Sequence, residues 1–467
     1  VKAMLSVLLP ELVLTGGLLL SVLVGAFASR KTMRALTPLW ILAALITLLM
    51  VFYTGTGLAA STLKVGPYER FFDLLFLLTG LVGLFLVWDA LPDRPREFEV
   101  LYLSALLGMM ILGKAQELIT LFFALELLSF SFYFLVGYAR SREEALEGAL
   151  KYFLMGAVSA AFFAFGIALI YMTTGTTVMT ELFRSGLGGD SLTRLGLLFL
   201  GVGLLFKVAA FPFQFWTPDV YSGAPTPVVA VLNAAPKAAG FLALLRVWFL
   251  LYDRTSPAWT GVLVWTAVLT MFFGNWVALR QKELKRMLAY STIAHVGYLL
   301  TALLIRDVLA LKALAFYLTG YAVMTLGAFA VIQYVGTARP TVQDLTGLAQ
   351  RRPLLAWGLT LFLVSLAGIP GTVGFATKAF LFYGLLKQGY TALTVVAFLN
   401  AVISAYYYLQ PVVAMFMMEG EPATIRRAEE MPWTTSVVQV MALLVVYFGV
   451  FPFAVWHFLD QLLRRMG

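Results

Sequence analysis

The chain has 467 residues, 61% of them apolar and 12% charged, about half the charged share of a soluble domain. That composition excludes a soluble globule, because too few polar groups exist to coat so much apolar surface, and lipid is the expected solvent. The absence of cysteine excludes disulfides, thiolate metal sites and iron–sulfur clusters. The two histidines, His295 and His457, lie too far apart for a histidine-rich metal site, and the net charge of +9 sits in short loops, where it sets membrane orientation rather than binding nucleic acid.

A membrane span needs about 20 apolar residues. Fourteen runs qualify in chain order, near 5–27, 36–54, 71–90, 98–113, 118–138, 145–172, 192–211, 226–251, 257–279, 284–304, 309–335, 354–386, 389–418 and 435–459. The first run, Leu5–Phe27, spans fully and lacks a basic leader or small-residue cleavage site, so it reads as a span and not a cleavable signal. Lipid admits only helices and closed barrels, and these runs are too long and too uniformly apolar for barrel strands. The expected fold is an all-α polytopic membrane protein of about 14 transmembrane helices.

Lys and Arg are more frequent in the loops after odd-numbered spans (Arg30, Lys31 and Arg34; Arg280, Lys282, Lys285 and Arg286; Arg339, Arg351 and Arg352). The bias predicts those loops in the cytoplasm and both termini on the non-cytoplasmic side. Features also recur between spans 4–8 and 9–13. Pro212 in span 7 matches Pro370 in span 12, Lys151 in span 6 matches Lys312 in span 11, and Lys207 before Pro212 has a counterpart in Lys378 after Pro370. Five helices is an odd number, so consecutive five-helix units enter the membrane from opposite faces, as in many transporters. The predicted organisation is a three-helix segment (1–97), two inverted five-helix repeats (98–253 and 254–418), each with a Pro-broken helix, and a C-terminal span (419–467).

Ionisable residues inside the spans are few: Glu126, Lys151, Lys207, Lys237, Arg246, His295, Lys312 and Lys378. A charge at the bilayer centre costs at least about 2.5–3.5 kcal/mol. The central ones must therefore face the bundle interior, pair or touch water. On a helix, positions i and i+4 share a face. Asn233 with Lys237, Ser291 with His295, and Gly374 with Lys378 do so, as do Tyr317, Tyr321 and Thr325, and Asn400, Ser404 and Tyr408. A dry site favours the neutral amine of a lysine and a nearby carboxylate restores the ammonium. Moving Glu126 relative to a lysine would thus switch its protonation. Glu126, Lys207, Lys237 and Lys378 are too central to snorkel. Lys151 and Lys312 lie near span ends, where a lysine either snorkels to the headgroups or faces inward. His295 reads either as a satisfied core histidine or as a relay group, Arg246 as structural and His457 as interfacial. Pro212 and Pro370 each remove a helical hydrogen bond close to a lysine, and broken helices at membrane depth are tolerated only against protein or a wet cavity.

Several stretches together resemble the antiporter-like membrane subunits of respiratory complex I. The longest runs from Phe206 to Pro227 and contains Lys207, Pro212, Trp216, Asp219, Tyr221 and Pro225. The others are Leu125-Glu126 to Ser129, Lys285-Arg286 to Tyr298 with His295, and Ser365 to Pro370 followed by Gly374-Phe375 and Lys378. The resemblance extends from Leu9-Pro10-Glu11-Leu12 to the last span. Pro236-Lys237 to Gly240-Phe241 and the Trp216 to Gly223 segment are most similar to the N-type subunit, Lys378 on the broken helix is unlike the glutamate usual in the M-type, and no long lateral helix follows as in the L-type.

The resemblance implies a proton-translocating subunit of NADH:quinone oxidoreductase with no cofactor of its own. NAD, FMN, iron–sulfur clusters and quinone would reside in partner subunits. By similarity, Glu126 and Lys207 form a charge pair, Lys237 a central relay, His295 part of the continuing path and Lys378 the terminal lysine; Lys151 in Gly148-Ala149-Leu150-Lys151 matches a family lysine. The implied partners are other complex I membrane subunits, including adjacent antiporter-like ones, and through them the hydrophilic redox arm. The implied location is the inner (plasma) membrane or an equivalent energy-conserving bilayer, with no nucleic acid. Two rival readings stand. One is a subunit of a multisubunit sodium/proton antiporter; the other is a membrane scaffold whose buried charges only lock helices together.

Overall fold

The computed structural model describes residues 7–52, 57–59, 62–139, 142–185, 190–252, 257–420, 425 and 430–464. The outermost positions of the first two predicted runs, 5–6 and 53–54, lie outside the described residues. Every predicted run contains at least one helix, in the order α1 (Leu9–Gly25), α2 (Arg30–Val51), α3 (Pro67–Ala90), α4 (Arg96–Lys114), α5 (Leu118–Val136), α6 (Glu143–Thr174), α7 (Ser191–Val208), α8 (Trp216–Gly223), α9 (Thr226–Val247), α10 (Pro257–Ala278), α11 (Leu284–Thr301), α12 (Val308–Ile332), α13 (Pro353–Ala367), α14 (Val373–Lys387), α15 (Thr391–Met417), α16 (Pro432–Val450) and α17 (Pro452–Arg464). A short antiparallel ribbon, Gly57–Ala59 with Leu63–Val65, joins α2 to α3. Eleven helices among the described residues are long and apolar enough to cross a membrane, and α1 and α13 are shorter apolar ones.

Helix starts carry local signals. Pro occupies the first turn of α1, α3, α9, α13 and α16, where its missing N–H is no loss. Ser29 accepts from the Thr32 amide at the start of α2, and Asp307 from the Leu309 amide at the start of α12.

The helices sort by what surrounds them. α9 is buried along its whole apolar stretch, and α11 and α12 almost so. α2, α6, α10 and α15 instead turn Met50, Phe165, Trp265 and Tyr406 outward. Lipid gives apolar side chains no reason to hide, so helices associate through close packing of small residues. At the α6–α7 crossing a Cβ on Gly166 would stand 2.6 Å from the Gly196 carbonyl oxygen, so the two backbones meet with nothing between them. The central trio carries Asn233, Lys237, Thr292, His295, Tyr317 and Tyr321, all buried. Encasing these helices in others is what keeps those polar groups away from lipid.

Two spans are interrupted, and a third stretch differs from its prediction. Span 7 stops at Val208 on a left-handed Ala209 (φ 63°) and resumes as α8, an eight-residue helix in a segment predicted to be loop. Span 12 stops at Ala367 on left-handed Gly368 (φ 92°), passes a second left-handed glycine, Gly371, and resumes as α14. The run predicted at 435–459 is not one span. It ends at Val450, and Pro452 begins a separate helix, α17, which buries Leu459, Leu462 and Leu463 while Phe453 points outward. The proline lacks the amide needed to continue α16.

Candidate functional site

The breaks free backbone groups at depth, and side chains take them up. The Trp216 indole donates to the Phe206 carbonyl at 3.2 Å, and Thr270 Oγ1 accepts from the Phe211 amide at 3.0 Å. Trp216 is held for this by stacking on Tyr152, with centroids 4.4 Å apart. At the second break the Lys378 ammonium donates to the carbonyls of Leu366 (2.8 Å) and Ala367 (2.9 Å), and Ser365 Oγ accepts from the Gly374 amide at 3.1 Å. Lys378 thereby sits on the negative end of the α13 dipole, a favourable place for a cation. Gly368 is needed there twice over: its φ is left-handed, and a Cβ would stand 3.3 Å from Lys378 Nζ.

From these lysines a polar row crosses the bundle. Lys207, 4% exposed, donates to Ser129 Oγ at 3.0 Å, and Ser129 lies one turn beyond half-buried Glu126 on α5. Glu126 and Lys207 face each other without a direct ion pair, and Ser129 takes the ammonium. The stem of Lys207 lies against α9, where a Cβ on Gly240 would be 3.6 Å from Lys207 Cγ. Lys237, one turn earlier on α9 and 2% exposed, holds its ammonium 5.8 Å from the Tyr221 ring centroid.

The Tyr221 hydroxyl donates to Asn233 Oδ1 at 2.9 Å, and the same oxygen accepts from Thr292 (3.0 Å) and Tyr321 (2.8 Å). Asn233 Nδ2 is buried with no partner among the described residues. Tyr321 packs on His295, with ring centroids 5.0 Å apart. His295 Nδ1 meets the Tyr317 hydroxyl at 2.9 Å and Nε2 the Tyr408 hydroxyl at 3.3 Å, and Tyr408 also bonds Ser291. A hydroxyl can donate or accept, so both tautomers of the imidazole are accommodated. Tyr298 closes the row: its ring lies 5.8 Å from His295 and 5.4 Å from the Lys378 ammonium.

Not every sequence candidate joins this row. Lys151 does not: its side chain is 44% exposed and pairs with Glu147 (2.7 Å) and Asp219 (2.8 Å), and Asp219 also binds Arg286. It belongs instead to a half-exposed ion-pair cluster that joins α6, α8 and α11. Arg246 binds Glu69 at 2.7 Å and the Ala115 carbonyl at 2.8 Å, in keeping with a structural role. Thr325 and Ser404 bond back to their own helices, and Asn400 pairs with Asn275 rather than with the Tyr408 end of its stripe.

Lys312 forms an ion pair with Asp460 and lies 5.4 Å from the Trp456 ring, so it clamps α17 to α12. Asp460→Asn is expected to loosen that helix, seen as faster amide exchange over 452–464 by mass spectrometry, with the rest of the chain unaltered. Unchanged exchange would mean that Leu459, Leu462 and Leu463 hold the helix alone.

The sequence reading missed three groups of residues. Tyr221 and Tyr298 stand within the quoted stretches, and only the tertiary contacts mark them as parts of the row. Lys285, 1% exposed, stands in sequence among the loop cations. Lys114 is also buried, in ion pairs with both Glu11 and Asp73. Each of these charges lies within a turn or two of a helix end, where a sequence gives no sign of burial.

Chemically the row sets hydroxyls, an amide and an imidazole between three lysines, none of which forms an ion pair with a carboxylate among the described residues. Such groups can carry a proton by donating on one side and accepting on the other.

Residues 115–404 match the transmembrane family described as NADH:quinone oxidoreductase/Mrp antiporter. The chain is similar to a protein of Trichlorobacter lovleyi named NADH-quinone oxidoreductase subunit N, with 38% identity over 482 residues, 98% of this chain and 97% of the relative. Its fold is similar to a chain of respiratory complex I from Thermus thermophilus with bound aureothin, at a TM-score of 0.85 and 36% identity, covering 96% of this chain and 98% of that one. It is also similar to a chain of an archaeal membrane-bound sulfane sulfur reductase, at a TM-score of 0.88 and 25% identity, covering 98% and 96%.

Proposed function

This chain belongs to the NADH:quinone oxidoreductase/Mrp antiporter family of membrane subunits, and on that premise we propose that its buried row moves protons. It is a multi-pass membrane-arm subunit of NADH:quinone oxidoreductase, an N-type antiporter-like subunit within a multisubunit respiratory complex. The observation that carries the relay reading is the row of buried polar groups between Lys207 and Lys378: one hydrogen-bonded cluster around Asn233 with Tyr221, Thr292 and Tyr321, a second around His295 with Tyr317 and Tyr408, and ring contacts of Tyr321 and Tyr298 that bring the clusters and Lys378 together.

In this reading, energy delivered from elsewhere in the complex changes the field of Glu126 at Lys207. The Lys207 proton passes to Lys237, the hydroxyls around Asn233 and His295 carry charge onward, and Lys378 is the terminal site. Spans 4–8 and 9–13 act as two inverted half-channels, each organised around its broken helix. The loops after odd-numbered spans face the cytoplasm and both termini the other side. NAD, FMN, iron–sulfur clusters and quinone belong to partner subunits of the redox arm, reached through adjacent antiporter-like subunits in the energy-conserving membrane.

The test is purification in mild detergent from the native membrane, followed by mass spectrometry of the co-purifying chains. Flavin- and iron–sulfur-carrying partners are expected. A partner set made only of antiporter-type membrane subunits would overturn the redox-driven reading and leave sodium/proton exchange by the same residues.

A further inference from the structure

The structure assigns Lys285 a place that its sequence position hides: we propose that it is a further proton-carrying residue, loaded by Glu283 on the membrane face opposite the termini. The inference rests on the reading above that the buried row moves protons. Its basis is a geometric parallel with Lys378. In each interrupted span one buried lysine covers the C-terminal carbonyls of a half-helix, at the break itself in span 12 and at the far end of the second half-helix in span 7. Lys378 donates to Leu366 and Ala367 at the end of α13. Lys285 donates to Ser222 (2.7 Å) and Ala224 (3.0 Å) at the end of α8. Both ammonium groups therefore sit at the negative end of a half-helix, bonded only to neutral acceptors.

Lys285 is further distinguished by its neighbour. Glu283 is the residue that precedes α11, yet its side chain caps none of that helix's amides. It turns to Ser222 instead, whose hydroxyl donates to Oε2 at 2.8 Å, while Oε1 is buried without a hydrogen-bond partner among the described residues. The carboxylate and the buried lysine thus straddle Ser222 without forming an ion pair, the carboxylate on its hydroxyl and the ammonium on its carbonyl. α8 also links this pair to the row, since Tyr221, adjacent to Ser222, donates to Asn233. The charged groups facing Lys285 and Glu283 are Arg286 on α11, Arg142 and Glu144 at the start of α6, and Arg339 beyond α12. Asp344 lies beside Thr341, which pairs with the Glu283 backbone.

The step balances simply. Glu283 takes a proton from water at the membrane face and passes it to the neutral Lys285 amine, leaving a carboxylate beside an ammonium. Release inward restores the amine.

The test compares Lys285→Arg, Glu283→Gln and Lys237→Met in the assembled complex, with proton pumping in vesicles as the readout. Arginine keeps a cation and several donors for the α8 carbonyls but cannot release a proton. Lys285→Arg is expected to lower pumping roughly tenfold or more. Glu283→Gln leaves the lysine cap intact and should reduce pumping more at high pH than at low pH, where proton supply is less limiting. Wild-type pumping by Lys285→Arg, or an unchanged pH profile in Glu283→Gln, overturns the proposal and leaves Lys285 a helix cap. Lys237→Met separates the two levels: if it pumps normally, the relay reading itself fails. If it is inactive while the other two variants behave as wild type, only the role of Lys285 falls.

Discussion

Lys207→Met is expected to assemble normally and to lower proton pumping and the coupled redox rate about tenfold or more, at least about 1.4 kcal/mol on the limiting barrier. Normal assembly follows from what the side chain touches. The ammonium bonds a single side chain, Ser129, whose hydroxyl also donates to the Leu125 carbonyl at 2.6 Å. Methionine fills a similar volume against Gly240, leaves Ser129 a partner and removes a buried charge with no carboxylate bound to it. Replacing such a group by an apolar one of like size is neutral or stabilising. The functional loss follows from position, because Lys207 is the link between Glu126 and Lys237. Lys207→Arg should fail similarly, since a guanidinium holds its proton at any working pH. The scaffold reading predicts the reverse, a Lys207→Met chain that does not assemble. Wild-type pumping in a fully assembled Lys207→Met complex would sink the relay reading; native electrophoresis and pumping in vesicles read the two quantities separately.

The fold was legible wherever a run was uniformly apolar, because length alone decides whether such a run can span. It was less legible where a helix is short or polar. Trp216–Gly223 contains Pro218, Asp219 and Ser222 and reads as loop, but Lys285 and Trp216 satisfy its end and the end of α7, so it is helical at depth. The last run looked continuous because Phe451 and Pro452 interrupt hydropathy hardly at all, although they end α16. For the site, Glu126, Lys207, Lys237, His295 and Lys378 were visible as charges with no business in lipid. Which of them are partners was not visible. The contacts that order the row, such as Tyr221 with Asn233, Tyr317 with His295 and Tyr408 with Ser291, join different helices and depend on which helices touch. Lys114, Glu11 and Asp73 escaped for another reason. Each lies near a helix end, where charge normally meets water, and only the packing of α1, α3 and α4 against one another buries them.

That buried triad gives the second large effect, of opposite kind. Lys114→Met is expected to destabilise the chain by about 3–5 kcal/mol, the usual cost of removing one partner from a buried ion pair. Lys114 is 1% exposed and binds both Glu11 on α1 and Asp73 on α3. Without it two carboxylates face each other in a closed site. Of the cations nearby, Arg246 is committed to Glu69, and Arg70, which also faces the two carboxylates, has its Nη1 on the Phe52 carbonyl. α1 should detach first, because Glu11 is one of its few polar ties to the bundle. The chain carrying Lys114→Met, Glu11→Gln and Asp73→Asn together should recover much of the loss, since nothing charged is left unpaired. Thermal unfolding in detergent, followed by tryptophan fluorescence, measures both. If Lys114→Met melts like the parent chain, the triad holds nothing together, and the distinction between two kinds of buried lysine collapses. On that distinction, a lysine clasped by two carboxylates is fixed in its charge and serves as a tie between helices. A lysine bonded only to hydroxyls or carbonyls, as Lys207, Lys285 and Lys378 are, has no carboxylate bonded to it that fixes its proton, and on the relay reading it passes that proton on.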